Sequence, residues 1–395
     1  MVFTAIYPMI SAIKRQLSNH LVNVPGWTTS RKIVVLESDD WGSIRMPSAA
    51  AYNNLLDAGI AVNKSPYCRY DNLCSVADLD ALFSVMEKHK DSSGNTPVLT
   101  ANVVVANPDF DAIKASHYQI YSYEAIDQTF ARFFPNEKPL AMWKEGLDKK
   151  LFLPQFHGRE HVNVALWLEK LQQKDAVFLK AFEEKCWGIS NDIFSNTTKS
   201  VQASFDYTQP EELVFMKESI VDGLQLFKKL FGFASESFIP NNYIWPIELN
   251  ETLQQNNIRV MQGMKYQLLP KQLGETKRKK IRRYNGQLVG ENNPILQTVR
   301  NVQFEPSLLS ANEKDHAVSR CLEQIQTAFL WKKPAIITTH RINFCGTLSE
   351  ENRVSNLKLF DQLLGEITKR WPEVEFMTTV ALSKIIKYLL NYEVH

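Results

Sequence analysis

The chain has 395 residues, 44% hydrophobic and 22% charged, enough apolar material to bury a large core. Lys and Arg total 45 against 43 Asp and Glu, so the net charge of +2 provides no overall field toward nucleic acid or membrane. Cys68, Cys74, Cys186, Cys321 and Cys345 are odd in number and scattered without a CxxC pair. That shows neither a disulfide framework nor a cysteine zinc site, and fits reduced thiols in a cytoplasmic protein.

Ile6, Met9, Ile10, Ile13 and Leu17 recur at helical spacing, so residues 4–22 are expected to form an amphipathic helix, packed on the domain as part of an N-terminal segment 1–30. Lys14 and Arg15 follow the apolar run instead of preceding it, which is the wrong order for a signal peptide. The alternative for this helix is a position on a membrane surface. Strands are expected at 33–38, 98–106, 152–157, 237–241, 258–262, 300–305, 335–340 and 374–378. Continuous apolar runs such as Ile33-Val34-Val35-Leu36 suit parallel strands buried on both faces. Helical patterns fill 75–89, 164–184, 211–230, 317–329, 350–370 and 380–390. This alternation predicts an α/β fold: a (β/α) barrel of seven or eight strands, open to distortion, as one catalytic domain over 31–395. Two insertions interrupt it, at about 43–74 and 264–299. In the second, Arg282 to Val289 carries the Asn285-Gly286 signature of a tight hairpin.

Barrel active sites lie at the C-terminal ends of strands, and three predicted strands end in reactive side chains. The first ends Glu37-Ser38-Asp39-Asp40-Trp41-Gly42. Two adjacent carboxylates repel, and a cation relieves that cost. Trp41 is placed to wall a sugar pocket. The alternative is an acidic turn or helix cap. The third ends His157-Gly158-Arg159-Glu160-His161, two histidines four apart as the chain enters a helix, able to share one metal. The seventh ends Thr338-Thr339-His340-Arg341, which places a histidine as a general acid, or as a buried structural group. Arg341 and Asn343 follow that strand end directly and are candidate substrate contacts. Asp40, His157 and His161 together supply three ligands and leave a position open, as catalytic zinc sites do.

In this order the motifs resemble the polysaccharide deacetylases of the NodB type, over roughly residues 31–345. Ser38-Asp39-Asp40 is similar to the family's first motif, His157 to His161 to its His-x-x-x-His motif, and Thr338-Thr339-His340 to its late catalytic strand. The resemblance implies Asp39 as catalytic base, Asp40, His157 and His161 as ligands of one divalent ion (zinc by ligand type), and His340 as general acid. It implies removal of an acetyl group from an N- or O-acetylated sugar or polysaccharide precursor. The metal polarises the carbonyl, Asp39 takes a proton from water, and His340 protonates the leaving group. Trp245 matches an aromatic wall near the acetyl methyl. The sequence departs from the family in two places. Glu37-Ser38 stands where Thr-Phe is usual, and Phe238-Ile239-Pro240-Asn241-Asn242-Tyr243 lacks the third-motif arginine that tunes the base. Arg45, Arg300 and Arg341 are the candidates to replace it.

Two other readings compete. His157 to His161 also fits H-x-x-E-H, a zinc-peptidase motif with Glu160 as base and Glu212 or Glu236 as a further ligand. A barrel that binds glycan without cleaving it is the second. Glu305 and Asn301 beside the sixth strand, and Asn107 and Asp109 after the second, are polar loop residues within reach of sugar hydroxyls. The run Lys277-Arg278-Lys279-Lys280, with Arg282 and Arg283, reads as solvated surface or as a grip on an anionic group. Combined with the N-terminal helix it raises peripheral membrane contact.

Overall fold

The computed structural model describes residues 14–189, 193, 199–271, 275, 277–291 and 293–392. The architecture is mixed α/β around a large, mostly parallel sheet of ten strands. In chain order these are β1 (Lys32–Trp41), β2 (Leu99–Val103), β3 (Phe152–Phe156), β4 (Ser237–Phe238), β5 (Val260–Gly263), β6 (Leu288–Val289), β7 (Ile295–Val299), β8 (Val302–Gln303), β9 (Ala335–His340) and β10 (Val374–Phe376). The order across the sheet is β6-β7-β5-β4-β3-β2-β1-β9-β8, with β10 also on β1, and only β6–β7 is antiparallel. The ladder does not close on itself as an unbroken barrel. Instead, residues 295–303 change neighbours part-way. The Arg300 amide donates to the Gly263 carbonyl at 2.9 Å, and the next amide, Asn301, donates to Ile336 at 3.2 Å. Of the expected strand 300–305 only Val302–Gln303 forms, and a second strand, Ile295–Val299, precedes it within the expected insertion, parted from it at Arg300-Asn301.

Alternation along β1 sorts its side chains. Val34 and Leu36 pack outward with Leu82, Phe152 and Phe360 beneath the surrounding helices. Ile33 and Val35 face inward with Val260, Leu296 and Ile336, and Leu382 and Ile386 of helix Thr379–Tyr392 complete that cluster. Above this apolar floor the inward positions turn polar at Glu37 and Asp39. All five cysteines are buried and none forms a disulfide, as reduced thiols require.

Both insertions are more ordered than a loop. Residues 43–74 hold the helices Ala49–Asp57 and Pro66–Tyr70. The Asn285-Gly286 turn does not close a hairpin of its own. Lys280–Arg282 pairs back with Tyr266–Leu268, while Leu288–Val289 pairs forward with Ile295 and Leu296. Residues 14–23 are helical, and Ile6, Met9, Ile10 and Ile13 lie outside the described residues. Among the described residues no helix is long and apolar enough to cross a membrane.

Candidate active site

Regular alternation would send Asp39 and Asp40 to opposite faces of the sheet. The β1–β2 register shows why both reach the same cleft. Ser38 pairs Ala101 and Trp41 pairs Val103, so β1 carries one extra residue between them. Asp40 takes that bulge in the left-handed region, at φ 72, and Gly42 follows at φ 86. A non-glycine residue held there is strained, and such strain concentrates at functional sites.

The cleft above the bulge has a volume of about 340 Å³ and is lined by Asp39, Asp40, His157, His161 and His340 together with Arg45, Tyr67, Gln202 and Tyr243. Asp40 Oδ1 lies 3.1 Å from His161 Nε2 and 3.4 Å from His157 Nε2. All three residues are buried, and one donor atom from each falls within 4.8 Å of the others. His157 Nδ1 donates to the Ile239 carbonyl at 2.9 Å, which leaves Nε2 as a bare acceptor aimed at Asp40. The Asn241 amide also approaches that nitrogen, at 3.3 Å. His161 stacks on Trp187, and its buried Nδ1 has no hydrogen-bond partner among the described residues. Acceptor atoms converging from buried residues make a donor set suited to a divalent cation. Burial pushes Asp40 up, yet Arg45, at 3.1 Å, and the two histidines hold it well below the usual carboxylate range.

The two histidines do not enter a helix together. They sit on an irregular loop after β3, with Gly158 at φ 114, and the helix Val164–Gln172 starts beyond them on an Asn163 cap. This removes the peptidase geometry. Glu160 is turned away, bonded to Arg159 at 2.6 Å and Ser219 at 3.0 Å. Glu212 accepts from the Thr208 and Gln209 amides, and Glu236 is a surface partner of Lys384.

Asp39 lies level with His340 across the β1–β9 ladder. Its carboxylate takes two bonds of 2.6 Å from Arg300 and one of 2.7 Å from the Asn102 amide. Burial pushes Asp39 up, but the fully buried Arg300 guanidinium outweighs it and brings the group down to about 2. Of the three candidate arginines, Arg300 is therefore the one on the first aspartate. It also binds Glu37 at 2.6 Å, and burial raises the Glu37 carboxyl despite that contact. Arg45 joins Asp40 to Asp71, and Arg341 binds Asp71 at 2.8 Å.

His340 Nδ1 donates to Glu305 Oε1 at 2.6 Å, and its Nε2 lies 3.8 Å from Asp39. Burial lowers this histidine, and Glu305 more than reverses that, raising it to about 9. Glu305 is held by the Asn343 amide at 2.8 Å. It was legible only as a polar residue beside a strand.

Four expected substrate contacts lie elsewhere. Trp41 is fully buried: the bulge turns it outward onto Trp143 and Phe152, and its N–H donates to Ser38. Trp245 is buried between Phe205 and Phe238, with its N–H on Asn250. Arg341 is buried against Asp71 and the Ser43 carbonyl, tying the first insertion to the β9 end. Asn343 is buried beneath His340 and Glu305. The cleft walls come instead from Tyr67, whose ring edges onto His340 and receives Arg45 at 4.4 Å, from Tyr243, and from Gln202. Asn102, a buried polar residue inside an apolar strand, also supports Asp39 and was not singled out from sequence.

No protein-family model matches the sequence, and no curated protein does. Among solved structures, a 4-alpha-glucanotransferase from Thermococcus litoralis aligns over 90% of this chain at 10% identity and TM-score 0.44, and the chain spans 40% of its length. A polysaccharide-deacetylase candidate from Mycobacterium smegmatis aligns over 93% of this chain and 94% of its own, at 8% identity and TM-score 0.41. Puue allantoinase aligns over 91% of both chains at 10% identity and TM-score 0.44. At these values the likenesses carry no functional argument.

Proposed function

We propose that the chain is a metal-dependent hydrolase of the polysaccharide-deacetylase type, removing an acetyl group from an N- or O-acetylated sugar or polysaccharide precursor. On this reading the sheet is a distorted seven-stranded barrel that closes through residues 295–303. The observation that carries the proposal is the placement of Asp39. It stands between a three-donor cation nest (Asp40, His157, His161) and His340, whose ring is held through Nδ1 by the Glu305 carboxylate.

A divalent ion on those three residues, zinc by ligand type, would supply Lewis acidity toward the acyl oxygen. The rest is work for side chains. Asp39 is ionised across the physiological range and accepts a proton from water. Arg300 and Asn102 fix its two oxygens so that it needs no reorganisation to act. His340 presents Nε2 to the cleft and donates its proton to the departing nitrogen or oxygen. Glu305 holds the ring through Nδ1 and stabilises its charge. The volume of about 340 Å³ is at the small end for ligand sites and suits one substituted sugar ring.

The test is metal content by elemental mass spectrometry on the purified chain and on Asp40→Ala and His157→Ala, followed by acetate release from acetylated sugars. Near one equivalent in the wild type, lost in both variants, together with acetate release, is the expected result. A wild type that holds no metal after reconstitution overturns the proposal and leaves glycan binding as the better reading.

A further inference from the structure

The N-terminal helix is docked with its polarity reversed. Its inward contacts are polar: Ser18 accepts from Lys265 at 3.1 Å, His20 from the Trp331 indole at 2.9 Å, and Asn23 from Asn301 at 2.7 Å. Leu17 and Leu21 on the described part of the helix, and Val24 just past its end, point away from the protein at 57%, 50% and 50% exposure. Apolar side chains of a docked helix normally face the core. Here these three are presented outward.

The basic run stands beside it, and most of it faces outward. Arg278 is held by Asp206 and Arg283 is buried on Gln267. Lys277, Lys279, Lys280 and Arg282 are exposed, Lys279 with Glu275 beside it. In the two-stranded ladder Tyr266 pairs Arg282 and Leu268 pairs Lys280, so these four share one face. Tyr266 is 40% exposed on that face, with Lys280 against its ring. Arg282 donates to the Leu21 carbonyl at 3.3 Å, which fixes the hairpin face against the helix end. Lys14 and Arg15, both exposed, precede Leu17 in the helix, with Lys14 about one turn before it.

We propose that this composite face, residues 14–24 with the paired strands Tyr266–Leu268 and Lys280–Arg282, docks on an anionic lipid bilayer. Leucines ringed by exposed Lys and Arg, with a half-exposed tyrosine at the margin, match the chemistry of an interface in which acyl chains lie beneath anionic headgroups. A nucleic acid would match the charge and leave the leucines without a partner.

The full chain is sedimented with neutral phosphatidylcholine vesicles and with vesicles containing phosphatidylserine, at low and high salt. The expected result is binding to the anionic vesicles that high salt weakens. Lys280→Gln with Arg282→Gln lowers affinity about 25-fold, at about fivefold per charge. Leu17→Ser with Leu21→Ser lowers it at least about tenfold. These side chains are exposed, so circular dichroism and thermal unfolding of both variants should match the wild type. The proposal is overturned if the wild type binds no vesicles, if neutral and anionic vesicles bind equally, or if the leucine variant binds as well as the wild type. It is also overturned if gel filtration shows a dimer that the leucine variant splits, since the occupant is then a second copy.

Discussion

His161 and His340 line the same small cleft, and their surroundings push them in opposite directions. His161 is buried beside Trp187, and desolvation lowers its pKa despite the Asp40 carboxylate. His340 is buried as well, but Glu305 sits 2.6 Å from Nδ1 and raises the ring to about 9. The difference lies in who else claims the carboxylate. Asp40 is shared among Arg45, His157 and His161, and it has little left to stabilise a charged ring. Glu305 has no arginine contact among the described residues; it holds His340 and is oriented by an amide. One side of the cleft therefore keeps a neutral nitrogen, fit to be a ligand, and the other a protonated one, fit to be a donor. Asp39 stands between them, ionised by Arg300.

The largest expected effect comes from removing that intermediary. Asp39→Asn should lower kcat by about 10²–10⁴-fold, the range for a general base, while metal content stays at the wild-type level. Loss of metal together with activity would assign Asp39 to the cation nest and erase the division between the two sides.

Next comes the partner of His340. Glu305→Gln should bring this histidine from about 9 toward its ordinary value near 6.5, so the alkaline limb of the pH–rate profile moves down. At pH 8 the donor form falls from most of the population to a few per cent, a loss of roughly 30-fold, with little change at pH 6. The stability sign is fixed by the same shift. A raised histidine contributes stability fully below about 6.5 and loses it as pH rises through about 9. The gap in thermal stability between wild type and variant should therefore close over that interval. A uniform drop in rate at every pH would mean that Glu305 only shapes the loop.

Much of this site could be read from sequence because its pieces terminate strands. Apolar strand runs at 33–36, 152–154 and 335–337 lead up to Asp39, His157 and His340, so each reactive residue falls at a strand end, and parallel strands gather their ends together. What could not be read depends on single-residue geometry. One extra residue in β1 brings Asp40 to the same side as Asp39 and turns Trp41 into the helix layer, since a shift of one reverses every face. The choice of Arg300 over Arg45 and Arg341 follows from the strand break at 300–301, which aims its side chain at Glu37 and Asp39. Nothing local marks that break. The inward polar face of the first helix was hidden for a related reason. Spacing locates an apolar stripe and says nothing about which way it faces.

The smallest expected effect tests the base of the His340 side. Asn343 was expected to touch substrate, yet it donates to Glu305 and to the His340 carbonyl, and its oxygen accepts from the Ser307 amide at 2.9 Å. Asn343→Ala leaves that buried amide without an acceptor, which costs about 1–3 kcal/mol in denaturant unfolding. With Glu305 less firmly oriented, kcat should fall several-fold. KM should stay unchanged, because no substrate contact has been removed. A KM raised tenfold at constant kcat would instead put Asn343 in the cleft and return it to the role its position after the strand suggested. The two outcomes differ in which constant moves, so a modest effect still decides between them.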